Sequence, residues 1–130
     1  MIMDDDKYFE LIQMLGWTIE HRKNTDTGEK WCLLLDADGR LISGYRENRN
    51  GVIAWLRTGD GMLAMIGRMR DLHPGMMTNI DVFTKDFRCV LDYGYKQWRE
   101  TGREPLPILY ARCLYITLKA LSEEDDNTNE

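Results

Sequence analysis

The stretch WTIEHRKNTDTGEKWCLLLDADGRLISGY, residues 17–45, decides the fold class. Trp17 to Lys23 alternates apolar and polar side chains, the period-two pattern of a half-buried strand. Asn24-Thr25-Asp26-Thr27-Gly28 supplies turn chemistry, and Trp31 to Leu35 is a denser apolar run that reads as a more buried strand. Asp36-Ala37-Asp38-Gly39 makes a second turn before Arg40 to Tyr45. Short turns rich in Gly, Asn and Asp return each strand beside its predecessor, so the three runs form an antiparallel meander. Asp36-x-Asp38-Gly39 also has the look of a calcium loop. Its glycine comes two positions early and no bidentate acid follows at the required place, so a hairpin turn accounts for it better.

Helical periodicity flanks the meander on both sides. Residues 5–15 place Tyr8, Leu11, Ile12 and Leu15 on one face, with Asp4 as a cap and Gly16 as a left-handed stop. Residues 46–58 (RENRNGVIAWLRT) read as a long loop with a short strand at Val52–Leu56. Thr58 or Asp60 then opens a second helix with an apolar stripe of Met62, Met65, Ile66, Met69 and Leu72, ended by His73-Pro74-Gly75. Asn79 to Phe83, Phe87 to Tyr93 and Tyr95 to Arg99 have strand character. Pro105 and Pro107 prepare the first turn of a third helix that runs to about Leu121. That helix is apolar nearly all round, so it is expected to be covered on more than one side, by the sheet and its neighbours or by a second copy in a homodimer. The expected architecture is α+β, in α-β-β-β-α-β-β-α order, with about five antiparallel strands in one sheet and three helices packed on it. Residues 1–122 form a single domain and residues 123–130 a disordered acidic tail.

Composition limits the function. The chain of 130 residues carries a net charge of −5, but Asp4, Asp5, Asp6, Glu123, Glu124, Asp125, Asp126 and Glu130 crowd its ends. Setting those aside leaves 14 of the 22 acids against all 17 basic residues, a balance of +3, so the low isoelectric point describes the ends and not an acidic, DNA-mimicking body. No apolar run is long enough for a membrane span and no secretory leader is visible, which places the expected protein in the cytoplasm. Cys32, Cys89 and Cys113 each sit in an apolar segment and are expected to be buried, reduced and slow to react. His21 and His73 alone give no zinc spacing, so no metal and no cofactor are expected.

No convergent set of reactive groups can be assembled from the motifs, and a binding protein is expected in place of an enzyme. Two segments mix arginine with aromatic and amide side chains. The first is Tyr45-Arg46-Glu47-Asn48-Arg49-Asn50 with Trp55 and Arg57; the second is Tyr95-Lys96-Gln97-Trp98-Arg99 with Arg103. Tyr, Trp and Arg dominate protein interfaces because each joins a large surface to a polar tip, and the same residues stack on bases and pair with phosphates. The candidate binding residues are therefore Tyr45, Arg46, Arg49, Trp55, Arg57, Trp98 and Arg99, on either a protein partner or a nucleotide or nucleic acid.

The layout resembles the small phage and prophage proteins grouped as the phage ABA sandwich domain. The resemblance rests on Leu15-Gly16-Trp17, the tryptophan strand and Asp-Gly hairpin from Trp31 to Arg40, and Thr58-Gly59-Asp60-Gly61-Met62 opening the second helix. It extends to Pro105-Leu106-Pro107, Ala111-Arg112-Cys113 and Leu118-Lys119-Ala120-Leu121 in the closing helix. It implies helices packed around an antiparallel sheet and a phage-type accessory product that acts in the host bacterial cytoplasm. Such a product would occupy a host protein or ribonucleoprotein complex in an anti-defence role, for example as an anti-CRISPR inhibitor.

Overall fold

A computed structural model describes residues 1–46 and 50–128. Helix α1 (Asp5–Met14) is started by the Asp4 carboxylate, whose Oδ1 accepts from the Lys7 backbone N–H at 2.9 Å. Gly16 ends it at φ 74°, where only glycine is unstrained. Strands β1 (Thr18–Lys23), β2 (Lys30–Leu35) and β3 (Leu41–Arg46) pair antiparallel in chain order. The Asp36 carboxylate accepts from the N–H groups of both Asp38 and Arg40 at 2.9 Å, so this acid holds a hairpin turn. The meander expected from residues 17–45 is present.

Residues 50–56 differ from the expectation of a loop and short strand. Asn50–Leu56 form helix α2, because Val52, Ile53 and Leu56 fall on one helical face and are buried to 0–1% exposure. Thr58 then serves two helices: its hydroxyl donates to the Trp55 carbonyl and accepts from Gly61 N–H, capping α3 (Gly59–Leu72). Gly61 is buried against the end of α2, and a Cβ there would run into the Trp55 carbonyl oxygen and Leu56 Cα. The backbones of α2 and α3 meet without an intervening side chain.

The second half contains β4 (Met77–Val82), β5 (Phe87–Tyr93) and β6 (Lys96–Gly102), again antiparallel in chain order. The expectation of one sheet with about five strands and three helices is corrected: the described residues form two three-stranded sheets and four helices. Each meander satisfies its own inner strand through local hairpins, and α2 and α3 separate the two in sequence, so no strand is left to bridge them. The first sheet meets α2, the second meets α4 (Leu106–Thr128), and the helices contact one another between them. Helix α4 lies against β5, β6, α1 and α3, which explains its apolar circumference. It continues to Thr128, past the boundary expected at Leu121 and through residues read from composition as a disordered tail.

One buried cluster unites the elements, including Tyr8, Leu34, Met65, Leu91, Tyr110 and Leu114. Trp31, expected in the core, is only half-buried. The pleat turns Cys32 and Leu34 inward and leaves Trp31 beside its cross-strand neighbours Arg22 and Arg46. No described helix is long and apolar enough to cross a membrane.

Candidate binding surface

The two basic-aromatic segments lie on different elements, the first on β3 and α2 and the second on β6. In the first, Tyr45 and Arg46 end β3, in register with Cys32 and Trp31, and Arg49 lies outside the described residues. Trp55 packs part of its ring against the core from α2. Arg57 reaches back to α1, with Nη2 3.4 Å from Asp5 Oδ1 and its guanidinium 5.0 Å from the centre of the Tyr8 ring. Burial raises the Tyr8 phenol above its ordinary pKa, an effect that Arg57 partly opposes. Trp55 and Arg57 thus hold α2 to the body as well as carrying exposed surface. In the second segment Trp98 is half-buried against the core, while Arg99 is exposed. The structure does not bring Trp55 and Arg57 together with Trp98 and Arg99, because the first pair belongs to the α2 region and the second to β6.

Strand register arranges the second segment into a face. Cys89 and Leu91 point toward α4 and are fully buried, so the alternate residues of β5 point away from it. Across the three strands this outward face carries the rows Asn79–Val90–Arg99, Asp81–Arg88–Thr101 and Met77–Asp92–Gln97. Arg88 grips Asp81 Oδ2 through Nε at 2.9 Å and Nη2 at 2.7 Å. Asp92 accepts from Asn79 at 3.2 Å and from Gln97 at 2.7 Å, and Arg99 donates to Gln97. Val90 is only 6% exposed beneath these side chains yet lies outside the core cluster. The result is a polar lattice, ordered by its own bonds and charged with both signs.

The β5–β6 hairpin turn lies at one end of this sheet. Gly94, at φ 64°, lets the chain reverse and projects Tyr95 fully into solvent, with a relative exposure of 108%. Beside it opens a cleft of about 650 Å³ between the α3–β4 turn, the hairpin and α4. His73 and Tyr93 line it in an edge-to-face pair with ring centroids 5.4 Å apart. Lys96 and Glu124 form an ion pair across its mouth. Tyr95, expected from the sequence to open a basic-aromatic strand, lies in the turn, and the strand begins at Lys96. His73 and Tyr93, not among the residues expected from the sequence, are their neighbours in the cleft; the Tyr93-Gly94-Tyr95-Lys96 turn is the local signal that marks the tip.

The cysteines bear out the expectation of buried free thiols. Desolvation pushes Cys89 up to about 11 and Cys113 up to about 12, and Cys113 Sγ donates to the carbonyls of Cys89 and Trp98. Both stay protonated near neutrality, where a thiol is a poor nucleophile. Among the described residues no group of three or more His, Cys, Asp or Glu side chains converges as a metal site. Comparison with protein-family models, with curated proteins and with solved structures finds no match to this chain.

Proposed function

We propose that this protein acts by stoichiometric binding, through the β5–β6 hairpin tip and the adjoining outward face, and that its partner is a bacterial host protein or ribonucleoprotein complex which it inhibits. The observation that carries the reading is Tyr95, a large aromatic ring wholly exposed on a short, ordered turn beside an aromatic-lined cleft. A ring in that position contributes nothing to the buried core. It becomes favourable when a partner covers it, and tyrosine is among the commonest interface anchors for this reason. The role as a host-factor inhibitor, possible targets including CRISPR complexes, rests on the phage-type resemblance in the sequence.

The face favours protein over nucleic acid. Arg88 and Arg99 are interleaved with Asp81 and Asp92, so the lattice has no concentrated positive field of the kind that displaces counterions from a phosphate backbone. The test is retention from bacterial lysate by tagged wild-type protein, compared with Tyr95→Ala and Arg99→Glu. The expected result is one partner held in fixed ratio, weakened about tenfold or more by either substitution with folding unchanged, as for an interface anchor. A partner indifferent to both substitutions would move the interface elsewhere. A retained nucleic acid whose affinity falls steeply with salt would replace the reading with the nucleic-acid alternative.

A further inference from the structure

The opposite edge of the same sheet carries an independent inference. Among the described residues strand β4 pairs only with β5, leaving its outer side open. Phe83 N–H donates to the Asp86 carbonyl at 2.8 Å in closing the Thr84–Lys85 turn. Antiparallel alternation therefore directs the backbone groups of Met77, Asn79 and Asp81 to β5 and turns those of Thr78, Ile80 and Val82 toward the open side. The same strand end exposes Val82 at 71%, Phe83 at 49% and, at its start, Met77 at 61%. No lysine, arginine or proline interrupts it, although such residues are the usual protection of a sheet edge.

We propose that β4 pairs with β4 of a second copy, antiparallel about a two-fold axis through Ile80, to form one sheet continuous across both molecules. Such an axis stands perpendicular to the sheet and keeps each face on its own side. With Ile80 on the axis, Thr78 lies opposite Val82 of the second copy, Asn79 opposite its Asp81, and Met77 opposite its Phe83. Apolar side chains then meet apolar ones, and the carboxylate meets an amide. An axis at Asp81 would set two carboxylates face to face, and one at Asn79 would set Met77 against Asp81; cross-strand pairing disfavours both.

Shape agrees with this register. A groove of about 240 Å³ lies between α3 and the start of β4, lined by Ile66, Met69, Arg70, Met76, Met77 and Thr78. Thr78, Ile80 and Val82 share the helix-facing side of the sheet, so Val82 of the second copy, opposite Thr78, enters the groove. The two-fold axis repeats that insertion, giving each exposed valine a receptacle in which Ile66, Met69 and Met76 offer apolar contact. The hydrogen-bonding groups of Thr78, Ile80 and Val82 find partners in the same arrangement. An edge pairing of this length is smaller than a standard interface of roughly 1,600 Å², so the dimer is weak and depends on concentration.

Sedimentation equilibrium of the full chain over a wide concentration range tests the proposal. Wild-type protein is expected to dimerise, and Val82→Lys, at an exposed position, is expected to weaken association about tenfold or more by placing a charge in the groove. A second measurement reads the register. Asn79 and Asp81 form a closely spaced pair between copies, with Cα atoms about 4.5 Å apart, within disulfide reach. A mixture of Asn79→Cys and Asp81→Cys proteins should therefore give the mixed disulfide in preference to either homodisulfide, the native thiols being buried. A wild-type protein that stays monomeric throughout, or a dimer indifferent to Val82→Lys, overturns the proposal. Preferred Asp81→Cys homodisulfides would overturn the register.

Discussion

Strands β4 and β6 hang on the same central strand, yet their free edges are finished differently. β6 presents Lys96, Gln97 and Arg99 to solvent. Its first residue is tied to α4 by the Lys96–Glu124 pair. Beyond its far end Arg112 clamps Glu104 at 2.6 Å, and its other guanidinium nitrogen lies 3.4 Å from the Thr101 carbonyl. β4 has one charge, Asp81, already taken by Arg88, and apolar residues at both ends. The core takes Ile80 from β4 and Trp98 from β6 and leaves the outer sides of both strands unused. The difference between them therefore concerns what lies outside the chain: one edge excludes a neighbouring strand, and the other is complementary to one.

The largest expected effect removes the support common to both edges. Leu114 is fully buried on α4, the helix that packs beneath β5 and β6. Leu114→Ala should cost about 2–5 kcal/mol in urea unfolding, through lost transfer energy and the cavity left behind. Both edges should fail together in that transition. A cost below about 1 kcal/mol would show that α4 is not the floor of this sheet and that the edges are stabilised separately.

A smaller effect should appear on exchanging the character of the edges. In a Val82→Lys background, which silences β4, the double change Lys96→Val with Arg99→Val gives β6 a bare edge. Cross-strand pairs contribute roughly 0.2–1 kcal/mol each, so self-association should return several-fold above the background measured by sedimentation. If the double variant stays monomeric, charge is not what keeps β6 unpaired, and the clamp from Arg112 carries that role instead.

These contrasts were only partly legible in the sequence. The first meander could be read because its turns are chemical: Asn24, Gly28, Asp36 and Gly39 dictate reversal locally. The cap at Thr58 was legible for the same reason. Helix α2 was not, because Asn50-Gly51-Val52-Ile53 has weak helical preference and becomes helical by burying one face against α3 and the first sheet. The division into two sheets was hidden because periodicity identifies a strand without naming its partner. The basic-aromatic character of Tyr95, Lys96 and Arg99 was visible, but their grouping with His73 and Tyr93 depends on two turns meeting in space. The unprotected edge of β4 was written in Met77-Thr78-Asn79-Ile80-Asp81-Val82, and needed the topology to show that it is an edge at all.

The smallest expected effect concerns a contact that joins the acidic end of the chain to the guarded edge, the Lys96–Glu124 pair. Deleting residues 123–130 removes Glu124 and leaves Lys96 without that partner. Both side chains of the pair are more than two-fifths exposed, and exposed ion pairs contribute about 0–1 kcal/mol. The deletion also shortens α4 only beyond its buried stretch, which ends with Leu118. Melting should therefore fall by no more than about 3–6 °C, the shift that corresponds to roughly 1 kcal/mol in a domain of this size. The freed Lys96 still carries a charge, so β6 should remain a poor template for strand addition and self-association should not rise. A larger fall in melting temperature would mean that the acidic segment docks on the body more extensively than through Lys96. A rise in association without that fall would show that the segment guards β6 by lying beside it, and that the charge on Lys96 is insufficient alone.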